Sequence, residues 1–210
     1  MSPAVLAPVV VAGVSGSGKS TVGRALAGRL GVAFEDGDDL HPAANVEKMT
    51  AGVPLEDADR WPWLDAVGDW LAAHPGGVVA CSALRRAHRD RIRGRVADLD
   101  VLLLDGDPEL IRARQAARGR HFMPPSLMDS QLATLEPLAP DEAGTTLDVA
   151  QDVAAIVEEF VAGSVDRRCE MVSAPPGRAS PWSHDQPAAA ALTHDSHHRE
   201  ARQQPGPRRA

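Results

Sequence analysis

The chain lacks any apolar run near the roughly 20 residues needed to span a bilayer, which argues against a transmembrane protein. Its first seven residues are apolar but carry no basic segment and run straight into a strand-like stretch, so no secretory leader is expected. Cysteine is scarce. Cys81 lies in an apolar run and Cys169 in a polar one, which suggests neither a disulfide framework nor a metal site. An excess of base is missing too: 22 Lys and Arg stand against 29 Asp and Glu, a formal charge of -7. That balance is the reverse of the basic face expected for nucleic-acid binding. On these absences a soluble, cytoplasmic protein is expected, with neither nucleic acid nor membrane as a partner. Its 210 residues suffice for one α/β domain plus an appendage.

What the chain does have is Gly13-Val14-Ser15-Gly16-Ser17-Gly18-Lys19-Ser20, which fits G-x-x-x-x-G-K-[ST]. The apolar run over 8–12 reads as a buried strand, and residues 21–30 place Val22, Leu26 and Leu30 on one helical face. Strand, glycine loop and helix are the context this motif requires. The glycines let successive backbone N–H groups turn toward one anion, and the helix N-terminus adds its partial positive charge. Gly13 through Ser20, with Thr21, is therefore the expected triphosphate site. In this motif Lys19 reaches the β- and γ-phosphates and the Ser20 hydroxyl ligates Mg²⁺. ATP and Mg²⁺ are the expected cosubstrate and metal.

Downstream the pattern alternates. Strand-like runs at 32–35, 78–82, 101–105 and 145–149 are separated by helical patterns at 43–49, 63–73, 85–95, 108–118 and 127–135, and a last helix is expected over 153–161. This predicts an α/β, three-layer phosphate-loop kinase fold with a five-stranded parallel sheet covered on both faces. Ligands in such sheets lie beyond the carboxyl ends of the strands. The loop, Asp36, Asp38 and Ser82 all fall there. The kinase domain is expected to span 1–162. Over 163–210 the composition turns to Pro, Ala, Arg, Gln and His without apolar periodicity, which reads as a disordered tail. His184, His194, His197 and His198 lie in it without the fixed spacing of a metal site.

The stretch from Asp36 to Leu64 discriminates among acceptors. Asp36-Gly37-Asp38, Leu40-His41-Pro42, Asn45, Lys48-Met49, Gly52, Pro54-Leu55, Asp57, Asp59-Arg60 and Pro62-Trp63-Leu64 fill every fixed position of the gluconokinase pattern, and the stretch resembles that family of small carbohydrate kinases. Cys81-Ser82-Ala83-Leu84-Arg85, Arg89-Asp90 and Arg93 continue the resemblance, as do His121-Phe122, Leu127, Ser130-Gln131 and Leu135-Glu136, so that it covers about residues 8–162. It departs at His88, where the family pattern has tyrosine, a residue this chain lacks altogether. The resemblance implies a fold similar to shikimate and nucleoside monophosphate kinases, ATP-dependent phosphorylation of D-gluconate at its 6-hydroxyl, and a homodimer.

Phosphoryl transfer to an alcohol needs Mg²⁺, cations on the phosphates and a carboxylate near the attacking hydroxyl. Asp36 and Asp38, two apart at a strand end, point the same way if the strand persists. The third strand carries no aspartate where a Walker-B acid often sits. Asp36 is thus expected to hold Mg²⁺ with Ser20, through water, and Asp38 to orient the hydroxyl and accept its proton. That division is similar to the one in shikimate kinases. An acidic turn capping the next helix accounts for the same residues in another way. Gluconate calls for guanidinium groups, for which Arg60 is the first candidate, then Arg85 and Arg89. Charge alone would put those last two on a solvated helix face. His41 either bonds substrate or caps its helix. Arg114, Arg118, Arg120 and His121 lie where related kinases carry a lid, with Arg118 the expected transition-state cation. Trp61 and Trp63 are expected to pack rather than to stack on a sugar. Two rival readings stay open: a kinase of another acceptor, such as shikimate or a nucleoside monophosphate, and a catalytically silent ATP-binding regulatory module.

Overall fold

Five strands form one parallel sheet in the order β2-β3-β1-β4-β5. They are β1 (Val9–Gly13), β2 (Phe34–Asp36), β3 (Val78–Ala80), β4 (Asp100–Asp105) and β5 (Gly144–Asp148). The helices are α1 (Lys19–Leu30), α2 (Ala43–Thr50), α3 (Asp57–Ala73), α4 (Arg86–Arg93), α5 (Pro108–Ala117), α6 (Pro125–Thr134) and α7 (Val153–Ser173). The computed structural model describes residues 7–96, 98–117 and 125–173. Of the two units into which the chain divides, 1–176 and 177–210, all described residues lie in the first. Among them no helix is long and apolar enough to cross a membrane.

β1 sits at the centre, with Val10 opposite Val79 of β3 on one side and Val101 of β4 on the other. A strand covered on both faces has no side for polar residues, which is why it is apolar throughout. Its side chains alternate between two cores. Val9 and Val11 pack with Val22 and Leu26 of α1 and Ile156 and Phe160 of α7. Val10 and Ala12 pack with Trp63, Leu64 and Val67 of α3 and Ile92 of α4. This three-layer arrangement brings the carboxyl ends of β1, β2 and β3 to one side, where the phosphate loop opens.

Three elements differ from expectation. β2 stops at Asp36 and a 3₁₀ turn, Gly37–Leu40, follows, with the Asp36 side chain accepting from the Asp38 N–H. α3 begins at Asp57 rather than 63. Its start is set by a reciprocal capping box between Glu56 and Asp59, and it accommodates Pro62 inside. Proline inside a helix removes one hydrogen bond, which makes 63 look like the start in sequence; the box outweighs that cue. The last helix runs to Ser173, beyond both 161 and the expected domain edge at 162. Polar bonds anchor its added turns: Arg167 donates to both carboxylate oxygens of Asp100 at 2.8 and 2.9 Å, and Ser164 Oγ to one of them at 2.7 Å. Apolar periodicity cannot register such an anchor.

Candidate active site

β1 ends in Gly13 at φ 141°, where a Cβ would stand 2.6 Å from the Leu104 carbonyl oxygen. Only glycine lets the chain leave the sheet there. The loop enters α1 through Gly18 at φ 96°, so that Lys19 is the first helical residue. Lys19 Nζ donates to the Val14 carbonyl at 2.9 Å, inside the loop's own curve. The Ser15 N–H donates to Oε1 of Gln131, on α6, at 2.7 Å. The loop thus offers backbone N–H groups, a helix N-terminus and an ammonium to one anion.

A cleft of about 420 Å³ joins Ser15 and Lys19 of this loop to Asp38, His41, Asp57, Arg60, Ser82 and Arg85, with Ser130 and Gln131 of α6 on its wall. Asp38 is exposed to it from the 3₁₀ turn. That turn is held from below, because Trp63 Nε1 donates to the Gly37 carbonyl at 2.6 Å. Trp63 is buried and packs, as expected, and its indole also stacks on His41 with ring centroids 4.1 Å apart.

His41 does not cap α2, whose N-cap is Pro42 without a side-chain bond. Its Nδ1 lies 3.3 Å from the Asn45 amide nitrogen, a donor that also serves the Asp59 carbonyl at 2.9 Å. Nδ1 is therefore the acceptor and the imidazole proton sits on Nε2. Burial lowers the His41 pKa, against the pull of Asp38 and with help from Arg60. His41 is a neutral donor on the cleft wall.

Arg60 and Arg85 converge on Asp57. Arg85 Nη1 donates to Oδ2 at 2.9 Å and Arg60 Nη1 to Oδ1 at 3.4 Å. Burial lowers the Arg60 pKa, offset in part by Asp57, and the guanidinium stays charged. Burial alone would raise the Asp57 carboxyl. The His88 hydrogen bond and then Arg85 outweigh it and hold the group below the ordinary carboxylate range.

Not every expected residue reaches this cleft. Arg89 does not. It is fully buried, clamps Glu142 through Nε and Nη2 at 2.7 and 2.8 Å, and spends Nη1 on the carbonyls of Ala83, Leu84 and Glu136. With its guanidinium used up in the core, it ties α4 to residues 136–142 instead of binding substrate. Burial alone would raise the Glu142 carboxyl, and the Arg89 bonds outweigh it and keep it ionised. Arg89→Ala leaves that buried carboxylate with only the Ala139 N–H at 3.0 Å and Arg93 at 3.6 Å and is expected to remove about 3 kcal/mol of stability, read as a fall in the denaturant midpoint. An unchanged midpoint with a raised KM for the acceptor would return Arg89 to the cleft.

Arg114 donates to the Val149 carbonyl at 2.6 Å, which ties α5 to the segment after β5. Arg118, Arg120, His121 and the tail from 174 lie outside the described residues. Cys81 is buried with its thiol pushed up to about 12 by burial, so it is no nucleophile. Gln131, Asp57 and His88 received no role from the sequence. Asp57 and Gln131 stand out there only as positions of the family pattern, and His88 only as its departure.

Asp36 caps the 3₁₀ turn, its Oδ1 3.3 Å from the Asp38 nitrogen. Among the described residues no three His, Cys, Asp or Glu side chains cluster as a metal cage. Mg²⁺ needs none. It takes hard oxygens from one or two protein groups and the rest from phosphates and water. The Ser20 hydroxyl and the Asp36 carboxylate offer oxygen only, and that donor set fits.

The family described as "AAA domain" matches residues 9–138. A gluconokinase from Gluconobacter oxydans (strain 621H) is 46% identical over 141 residues, covering 65% of this chain and 79% of that one. The crystal structure of a gluconokinase from Sinorhizobium meliloti 1021 superposes with a TM-score of 0.74 at 43% identity, covering 82% of this chain and all of that one. The shikimate kinase from Acinetobacter baumannii shares the fold alone, with a TM-score of 0.55 at 20% identity over 78% of this chain and 95% of that one. With its phosphate loop, its parallel sheet and these relatives, the chain belongs to the gluconokinase family of phosphate-loop kinases.

Proposed function

We propose that the protein transfers the γ-phosphoryl group of ATP to the 6-hydroxyl of D-gluconate, giving 6-phospho-D-gluconate and ADP. The observation that carries this reading is one cleft that joins the Lys19 loop to Asp38, His41, Arg60 and Arg85. A triphosphate takes the loop. What remains is a compartment with the Asp38 carboxylate, a neutral imidazole donor and two guanidinium groups that Asp57 bridges, suited to a polyol that ends in a carboxylate. Guanidinium forks recognise carboxylates better than ammonium groups do.

In this reading Asp38 accepts the proton of the 6-hydroxyl as the new O–P bond forms. The bond between the γ-phosphorus and its bridging oxygen breaks, and the electron pair leaves with ADP. Lys19 neutralises charge on the β- and γ-phosphates. Ser20 and Asp36 would hold Mg²⁺, which when bound supplies further neutralisation of the phosphate oxygens.

The test is coupled ADP release with D-gluconate, shikimate, glycerate, glucose and AMP in turn. Gluconate is expected to dominate. Activity with another acceptor keeps the kinase and overturns the acid-binding assignment. ATP binding without any acceptor-dependent turnover would favour a regulatory protein. Arg60→Ala removes a charge-assisted bond and is expected to raise KM for gluconate about 10- to 100-fold, with KM for ATP nearly unchanged. A gluconate KM within twofold of wild type would remove Arg60 from acceptor binding.

A further inference from the structure

His88 takes no part in the reaction as derived, yet its ring is 2% exposed and both its nitrogens face partners. It lies in the first turn of α4. Nδ1 is 3.4 Å from the Arg85 backbone nitrogen and closes a capping box there. An N–H facing Nδ1 makes that atom the acceptor, so the proton sits on Nε2. Nε2 is 3.4 Å from Oδ1 of Asp57. Asp57 in turn receives Arg85 Nη1 on Oδ2 and Arg60 Nη1 on Oδ1. The ring closes on itself: His88 accepts from the Arg85 backbone, donates to Asp57, and Asp57 holds the Arg85 side chain. Trp61 packs edge-on against the imidazole at 5.8 Å and 75°.

We infer that His88 is a positioning residue for the acid-binding end of the cleft: it fixes the Asp57 carboxylate, which holds Arg60 and Arg85 where the acceptor's carboxylate binds. The inference rests on the acceptor assignment proposed above. Two guanidinium groups left to themselves repel each other and sample many rotamers. A carboxylate fixed between them removes both costs before substrate arrives. One neutral donor beneath that carboxylate selects its rotamer without cancelling its charge.

The arrangement is sensitive to acid. The charged groups facing His88 are Asp57 and Arg60 on α3 and Arg85 at the start of its own helix. Burial lowers the His88 pKa, with Asp57 opposing and Arg60 and Arg85 reinforcing. The neutral form therefore prevails down to below the ordinary histidine range. Protonation would set two N–H donors against each other at Nδ1 and open the ring.

Two substitutions separate the bonds. In His88→Asn, Oδ1 overlays Nδ1 and keeps the helix cap, but nothing reaches Asp57. In His88→Gln, an amide N–H extends to the position of Nε2. His88→Asn is expected to raise KM for gluconate about tenfold, the worth of one such hydrogen bond. Its kcat and its KM for ATP should stay within about twofold of wild type on the same scale, and His88→Gln should recover most of the loss. In the wild type, KM for gluconate should climb as pH falls below the ordinary histidine range, and in His88→Gln the climb should shrink to the part contributed by His41, the other imidazole of the cleft that burial lowers. An unchanged gluconate KM in His88→Asn, or no recovery in His88→Gln, overturns the inference. If His88→Asn does not fold, the pH profiles decide, and a level wild-type profile overturns it equally. Wild-type protein that ignores gluconate is a different failure, seen before any variant is made, and it removes the acceptor assignment.

Discussion

Lys19→Ala is expected to lower kcat about a thousandfold or more, the scale set by removing one preorganised charge from a phosphoryl-transfer site, while leaving a folded domain. The side chain stands at the first position of α1, directly after the left-handed Gly18, and its ammonium lies inside the loop against the Val14 carbonyl. That is where β- and γ-phosphate oxygens would lie if backbone N–H groups and the helix N-terminus hold the triphosphate. Charge builds on those oxygens as the bond to the leaving group lengthens. A fixed ammonium there is worth more in the transition state than in the ground state, so the loss appears in kcat. The fold depends little on it. The core beneath is Val9, Val11, Val22 and Leu26, and alanine is a better helix former than lysine. Coupled ADP release and a thermal melt on the same preparation read both halves of the expectation. Turnover within tenfold of wild type in a folded variant would show that the loop backbone alone carries the charge.

Much of this was legible in the sequence because the organising features are local. The run 8–12, the loop and the helix after it are contiguous, and each cue fixes a backbone state: apolar on both faces, glycine at positive φ, apolar residues at helical spacing. Asp38, His41 and Arg60 follow from the Asp36–Leu64 stretch and Arg85 from Cys81–Arg85, both through the family resemblance, and all four line the cleft. The failures share a different cause. Arg89 looks like its neighbour Arg85 in one dimension, and nothing near it announces Glu142, 53 residues on. The true start of α3 depends on the reciprocal bonds of Glu56 and Asp59, against a proline that argues for a later start. The extension of α7 rests on Arg167 finding Asp100, 67 residues earlier. Where a residue's role is set by a polar partner distant in the chain, periodicity is silent.

Asp38→Asn tests the other half of the chemistry and is expected to cost about 10²- to 10⁴-fold in kcat, the range for losing a positioned general base. The substitution keeps the shape of the side chain and removes its charge and its capacity to take a proton. The frame around it does not depend on that charge. The 3₁₀ turn is held by the Asp36 side chain on the Asp38 backbone N–H and by Trp63 on the Gly37 carbonyl. Gly37 itself packs so closely that a Cβ would meet the Ala80 carbonyl oxygen at 2.6 Å. KM for ATP and the melting temperature should therefore stay near wild type. A carboxylate at this place could instead serve the metal, and the two roles respond differently to Mg²⁺. A lost metal ligand weakens Mg²⁺ binding, so raising Mg²⁺ restores rate by mass action. A lost proton acceptor is indifferent to it. With Asp38 as the base, the Asp38→Asn deficit should persist at every Mg²⁺ concentration, whereas an Asp36→Asn deficit should shrink as Mg²⁺ rises. The opposite pattern would exchange the two aspartates and make Asp36, at the end of β2, the group that faces the attacking hydroxyl.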